Sequence, residues 1–301
     1  MPNPAPSRPL AGILWMLVTG LCFVAVTALV KVLGPRIPAV ESAFLRYVIG
    51  LVLLTPLLLR LKIRELGWEM QGLFAVRGIL HAVGVGCWFF AMARIPIAEV
   101  TALNYLSPVY VTIGAAIFLG ETLALRRILA VVAALVGMVI ILRPGFREVG
   151  PGQIAMLFTG LVFGISYLMT KVLADRADAA MVVAMLSVWV AISLAPVALM
   201  HWVWPTWAEL GILLCVAFFA TAGHFTMTLA MKAAPVAVTQ PVTFLQLIWA
   251  TLLGVAVFAE PVDGWVMVGG GVILASVSYI AWREAKLKRR SVTPAVPATK
   301  G

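Results

Sequence analysis

Arg77 and His81 stand four residues apart inside a long apolar run, and Trp88 follows two helical turns after His81. On a helix the first two share one face, with Trp88 near it. The strip would offer a cation, an imidazole able to change charge near neutral pH, and a flat surface for stacking. A second polar set lies further on: Thr101, Asn104, Tyr105, Ser107 and Tyr110, then Thr239, Gln240, Thr243 and Gln246. Their hydroxyl and amide groups both donate and accept, which suits a neutral, ring-bearing solute with hydrogen-bonding edges. Ser166 and Tyr167 form a third group, and His224 with Thr226 a fourth. Asn104, Tyr105, Gln240, Gln246, Trp88, His81, Tyr167 and His224 are therefore the candidate solute-binding residues. Each has a plainer competing role. Arg77 can snorkel to an interface, His81 can bond a backbone carbonyl, His224 can be a satisfied core histidine, and hydroxyl and amide side chains can join helices.

None of these groups makes a catalytic or metal-binding set. His81, His201 and His224 lack the H-E-x-x-H spacing, no activated nucleophile is visible, and no G-x-x-x-x-G-K-[ST] loop is present. The three cysteines, Cys22, Cys87 and Cys215, each lie within an apolar run, too far apart for a zinc site or a disulfide framework. The expectation is a protein that is not an enzyme, holds no metal and needs no cofactor.

The elements that must position these residues follow from composition. Of 301 residues, 63% are hydrophobic and 11% charged, with a mean hydropathy of +1.07. Such a chain can bury its surface only in lipid. Apolar runs of span length, ~20 residues each, cover 11–33, 39–59, 71–93, 97–120, 123–142, 152–173, 179–203, 208–231, 236–259 and 264–282. Gly34-Pro35, Pro144-Gly145 and Pro151-Gly152 punctuate them. The first run is too long for a signal-peptide core and lacks a small-x-small site, so it reads as a retained span. The net charge of +10 comes from residues between spans and from a tail, Arg283 to Arg290, with no aromatic-interleaved basic stripe. Nucleic acid is therefore not an expected partner. Arg8, Arg60, Lys62, Arg64, Arg126, Arg127, Lys171, Arg176, Lys232 and the tail fall on one side of the spans, against Lys31, Arg36, Arg94, Arg143 and Arg147 on the other. That bias places both termini in the cytoplasm. Glu41 and Arg46, five apart, and the span-end residues Glu121 and Glu260 read as structural. Six tryptophans (Trp68, Trp202, Trp204, Trp207, Trp265 and Trp282) read as an interfacial belt, leaving Trp15, Trp88, Trp189 and Trp249 deep enough for a pocket.

The sequence also repeats itself. Met16, Leu17, Thr19, Gly20, Leu21 and Phe23 match Met156, Leu157, Thr159, Gly160, Leu161 and Phe163 without a gap, and Lys31 and Pro56 match Lys171 and Pro196. After a one-residue deletion Pro96 falls on Pro235, Thr101 on Gln240, Tyr105 on Phe244 and Glu121 on Glu260. Five spans per copy is an odd number, so the second copy enters the membrane from the opposite side. Inverted repeats allow one chain to open to either side in turn, the plan of many secondary transporters.

The runs Ala91-Met92-Ala93-Arg94-Ile95-Pro96-Ile97-Ala98-Glu99-Val100, Leu106-Ser107-Pro108 and Phe118-Leu119-Gly120-Glu121 resemble the EamA family of the drug/metabolite transporter superfamily, and Ala230 to Pro235 with Phe258-Ala259-Glu260 resembles its second copy. Leu247 stands where the first copy has Pro108. The resemblance implies an all-α membrane protein of ten transmembrane helices in two inverted five-helix repeats, with a central cavity lined by helices one, three, four, six, eight and nine. Residues 1–10 would be a cytoplasmic N-terminus, 11–145 and 150–282 the two repeats, and 283–301 a basic cytoplasmic tail. Arg77-Gly78, His81 and Ala98-Glu99 look closest to riboflavin-uptake and S-adenosylmethionine-uptake members. The expectations are alternating-access transport of a small organic metabolite, best matched by a ring-bearing vitamin such as riboflavin, in the bacterial inner membrane. S-adenosylmethionine uptake, amino-acid or metabolite export, and a structural subunit of a membrane complex are the alternatives. Partners are the small-molecule substrate and the lipid bilayer, with a homodimer also in view.

Overall fold

The computed structural model describes residues 9–61, 66–118, 125–174, 176–177, 179–234 and 239–292. Every regular element among them is helical: α1 Pro9–Leu33, α2 Ala39–Leu53, α3 Thr55–Leu58, α4 Trp68–Met92, α5 Ile97–Asn104, α6 Ser107–Phe118, α7 Leu125–Leu142, α8 Pro151–Ala174, α9 Ala179–Met200, α10 Trp207–Ala233, a 3-10 turn Gln240–Thr243, α11 Phe244–Phe258 and α12 Gly264–Val292. Among the described residues, seven helical stretches are long and apolar enough to cross a bilayer. α8 is a further unbroken helix of 24 residues, and the remaining two segments, α5 with α6 and the 3-10 turn with α11, are interrupted. With the interrupted pairs joined, the helices make ten membrane segments, five in each repeat.

Apolar side chains cover the outside as well as the core. Along α7, Leu125, Ile128, Leu129, Val132, Val136 and Val139 are exposed at helical spacing while Ala130, Ala134, Gly137 and Ile141 are buried. The small residues Ala130, Ala134 and Gly137 turn inward while six branched ones face outward, since lipid gives no reason to hide apolar surface and close approach rewards small side chains. Backbone meets backbone where α7 crosses α12. A Cβ placed on Gly137 would stand 2.7 Å from the Gly269 carbonyl oxygen, and one on Gly269 2.5 Å from that of Gly137. Gly269→Val therefore forces backbone apart. A loss of about 1–3 kcal/mol is expected, read as a lower melting temperature in detergent, and an unchanged melting temperature would contradict the crossing.

The packing follows the repeat. α1 packs on α10 and α4 on α8, pairs that exchange when the halves exchange, while α2 on α9 and α7 on α12 map onto themselves. Matched threonines do matched work: Thr19 meets Thr226 at 2.9 Å across α1 and α10, and Thr159 donates to the Gly84 carbonyl at 3.3 Å across α8 and α4.

Three spans expected to be continuous are broken. The 97–120 span stops at Asn104 and restarts at Ser107, with i-to-i+3 bonds from Tyr105 to Ala102, Leu106 to Leu103 and Val109 to Leu106. Pro108 causes this, because its ring clashes with the carbonyl four residues earlier, that of Asn104. The 236–259 span is a 3-10 turn at Gln240–Thr243 before α11 begins. Pro241 sits in that turn, so the second repeat has its own distortion although Leu247 replaces Pro108. The 39–59 span is interrupted at Leu54. The last helix runs beyond residue 282 to Val292, with Lys286 over the Trp282 ring at 5.1 Å.

The tryptophan reading needs one correction. Trp68, Trp204 and Trp207 are exposed as a belt requires, but Trp15 and Trp249, 40% and 38% exposed, turn outward, so only Trp88 and Trp189 of the deep four face other helices.

Candidate functional site

α4 and α8 build an aromatic corner between the repeats. His81 on α4 stacks on Phe163 of α8, with ring centroids 4.6 Å apart and planes 19° from parallel, and its Nδ1 lies 3.1 Å from the Ser166 hydroxyl. Trp88 meets the same Phe163 edge-on at 6.3 Å. The approach depends on Gly84, where a Cβ would stand 2.7 Å from the Phe163 ring. The Trp88 Nε1 is buried with no hydrogen-bond partner among the described residues. Arg77, one turn from His81, is 5% exposed and donates to the Val182 carbonyl at 3.1 Å. It is tucked against the first turn of α9.

The same corner recurs in the other half with altered geometry. His224 of α10 meets Phe23 of α1 edge-on, 5.3 Å between centroids at 81°. Phe23 is the repeat match of Phe163, so each half sets a histidine against the same phenylalanine, stacked in one and perpendicular in the other.

The remaining candidates lie at the broken helices. Asn104 ends α5, with its Oδ1 buried and without a partner among the described residues. Tyr105 occupies the break and its hydroxyl donates to the Thr243 carbonyl at 2.6 Å, which ties the break in one repeat to the 3-10 turn of the other. Gln246 lies against α1, where a Cβ on Gly20 would stand 3.4 Å from its Cβ. The side chains of Tyr167 and Gln240 lie outside the described residues. The structure thus joins His81 to Trp88 through Phe163, places His224 in the matching corner, and sets Tyr105 apart with its hydroxyl already engaged. Phe163 and Phe23 were not among the expected site residues. The clue was their match across the repeats, each one helix pair away from a histidine.

A charged lattice closes one end of the bundle, the face opposite the start of α1 and the end of α12. Lys31 pairs with Glu260 and donates to the Ile95 carbonyl at 3.0 Å. Glu260 Oε2 accepts the Ile97 N–H at 3.0 Å. Arg147 pairs with Glu99, and Arg143 with Asp263. Arg36 grips Glu209, which also completes a capping box with Thr206. Lys31–Glu260 and Arg143–Asp263 each join the first repeat to the second, and Arg147, between the two repeats, pairs with Glu99 of the first and lies 3.9 Å from Asp263 of the second. A cleft of about 140 Å³ has Glu99, Arg147 and Glu260 in its wall. Glu121, the repeat match of Glu260, lies outside the described residues.

Residues 10–143 and 150–282 each match the EamA-like transporter family. Among characterised proteins, the chain is 28% identical over 294 residues to a riboflavin transporter of Rhizobium johnstonii, covering 95% of each chain. It is 29% identical over 289 residues to a riboflavin transporter of Vibrio cholerae, covering 94% of this chain and 97% of that one. To an S-adenosylmethionine uptake transporter of Rickettsia bellii it is 22% identical over 281 residues, covering 93% and 97%. A crystal structure at 18% identity superposes with a TM-score of 0.57 over 95% of this chain and 98% of that chain, a likeness of fold.

Proposed function

Because the chain belongs to the EamA-like transporter family and is a multi-pass membrane transporter of small molecules, we propose that it takes up a ring-bearing vitamin of the riboflavin type by alternating access. The observation that carries this is the aromatic corner of His81, Phe163 and Trp88, set between two inverted repeats. A planar ring gains from flat aromatic walls, and the unpartnered Trp88 Nε1 and Asn104 Oδ1 supply a donor and an acceptor for its edges. The near full-length likeness to two riboflavin transporters points the same way. The moving halves are residues 11–145 and 150–282, rocking about the site between them, and His81, Trp88, Asn104, Tyr105, Tyr167, His224, Gln240 and Gln246 remain the binding residues we assign. The membrane is the bacterial inner membrane, with both termini in the cytoplasm by the positive-inside bias.

S-adenosylmethionine uptake is the second reading, favoured by the Rickettsia relative. Arg77 is buried one turn from His81 on α4, and positive charge there opposes a sulfonium. Flavin uptake is therefore preferred. The test is rescue of a riboflavin auxotroph that lacks its own uptake system. Growth on low external riboflavin is expected with this chain and not with the empty vector. Rescue of an S-adenosylmethionine auxotroph instead would reverse the order of the two readings.

A further inference from the structure

The last helix outruns the membrane. α12 has 29 residues, about 43 Å of helix, against a hydrocarbon core of ~30 Å. Its span-length apolar stretch is Gly264–Arg283, so residues 284–292 carry the same helix about 14 Å further. Headgroups occupy roughly 5–8 Å beyond each edge of the core, and the extension passes through that layer. Its residues Glu284-Ala285-Lys286-Leu287-Lys288-Arg289-Arg290 are good helix formers, and the helix dipole favours cations at a C-terminus. Those two facts explain why a basic helix continues here. They do not explain where its charges stand.

One side of α12 faces away from the bundle along the whole span. Trp265, Val268, Ala275, Tyr279, Trp282 and Lys286 are exposed, while Val266, Ile273, Val277 and Ile280 are buried. At about 100° per residue, positions 279, 282, 283, 286, 289 and 290 fall within one arc of about 120° on that exposed side. Glu284 and Lys288 fall on the opposite half, four apart in the order at which opposite charges offset best. The outward half of the extension therefore takes Arg283, Lys286, Arg289 and Arg290 and no acid.

Rings and charges meet at the edge of the span. Tyr279 and Trp282 lie 6.0 Å apart between centroids, and the Lys286 Nζ stands 5.1 Å from the Trp282 centroid. Aromatic side chains at the end of a span sit at headgroup level, so Lys286 is held at that depth. Among the described residues neither Arg283 nor Lys286 meets a carboxylate. The exposed side of α12 thus runs from apolar to aromatic to basic without a break. A surface continuous with lipid contact meets lipid headgroups first, and its charge selects anionic ones.

We infer that the outward side of the α12 extension is a docking stripe for anionic phospholipids, with Arg283, Lys286, Arg289 and Arg290 at the headgroups. The inference concerns the lipid around the transporter rather than its cargo, so it stands or falls apart from the vitamin reading.

The test reconstitutes the full chain in phosphatidylcholine bilayers with a trace of spin-labelled lipid, phosphatidylglycerol in one sample and phosphatidylcholine in the other. Electron paramagnetic resonance reads the motionally restricted fraction of each. Phosphatidylglycerol is expected to be favoured at least about fivefold at low salt, and most of the preference should vanish at ~0.5 M salt. A chain carrying Arg283→Gln, Lys286→Gln, Arg289→Gln and Arg290→Gln together should lose most of it, with its melting temperature in detergent unchanged. Lys286→Gln alone should lower it, and Lys288→Gln, which removes one charge from the opposite half, should leave it. Equal restriction of the two lipids by the unaltered chain overturns the stripe whether or not the variants fold. Equal losses from Lys286→Gln and Lys288→Gln overturn it too, since net charge rather than placement would then govern. A preference that survives the quadruple variant assigns the lipid to other loops, leaves the stripe to an acidic protein, and likewise overturns it.

Discussion

Glu260→Ala is expected to cut uptake at least about tenfold while leaving the protein folded and able to bind its solute. Ala259 in the left-handed conformation, φ 53°, and the Glu260 N–H bonded to the Gly254 carbonyl hold this carboxylate at the end of α11. From there it serves two groups of the other repeat, the Lys31 ammonium and the Ile97 N–H. Alanine leaves both without that acceptor. The side chains of Lys31 and Glu260 are 19% and 11% exposed, between a surface pair worth under ~1 kcal/mol and a buried one whose breakage costs ~3–5. About 2 kcal/mol follows, and at about 1.4 kcal/mol per factor of ten the closed state of this face loses its majority over the open one. A cysteine placed at Ala98, in the wall of the cleft, should then react faster with a membrane-impermeant thiol reagent. Lys31→Ala should act in the same direction. If uptake and labelling both stay at the unaltered level, the lattice is decoration and does not close a path.

Phe163→Ala is expected to abolish flavin-dependent quenching of tryptophan fluorescence and to lower solute affinity by more than about tenfold. This ring is the common neighbour of His81 and Trp88. It is 5% exposed, so its truncation also costs about 3–5 kcal/mol of stability. Phe163→Leu separates the two effects, because it fills most of the space without the flat face. Loss of affinity in the leucine variant at near-normal melting temperature supports stacking. Normal affinity in it would mean that Phe163 merely supports His81. Phe23→Ala, in the matching corner, should weaken binding less, since the Phe23 and His224 planes are perpendicular.

Much of this architecture was legible beforehand, and the reason is polarity. The spans show as apolar runs, and the repeat shows because Lys, Pro and Glu recur in register with the apolar matches. Glu260 was readable as a span-end residue, though its partner Lys31 was not, since nothing local joins residues 31 and 260. What the sequence hides is azimuth. A lipid-facing helix is apolar on both sides, so Trp15 and Trp249 looked as deep as Trp88 and Trp189. Phe163 drew no attention among phenylalanines that face lipid. The helix breaks were half visible. Pro108 and Pro241 stand in plain sight, yet apolar composition runs unbroken through both, and only the backbone shows α5 ending at Asn104 and the 3-10 turn preceding α11. Arg46 read as a structural residue beside Glu41, and the structure turns the two to different neighbours.

Counterflow of radiolabelled riboflavin in liposomes containing only this protein tests the central claim most directly. With unlabelled riboflavin loaded inside and a trace of label outside, the label should accumulate transiently above equilibrium, and Glu260→Ala should blunt the overshoot. Equilibration of riboflavin at the rate of empty liposomes would contradict it.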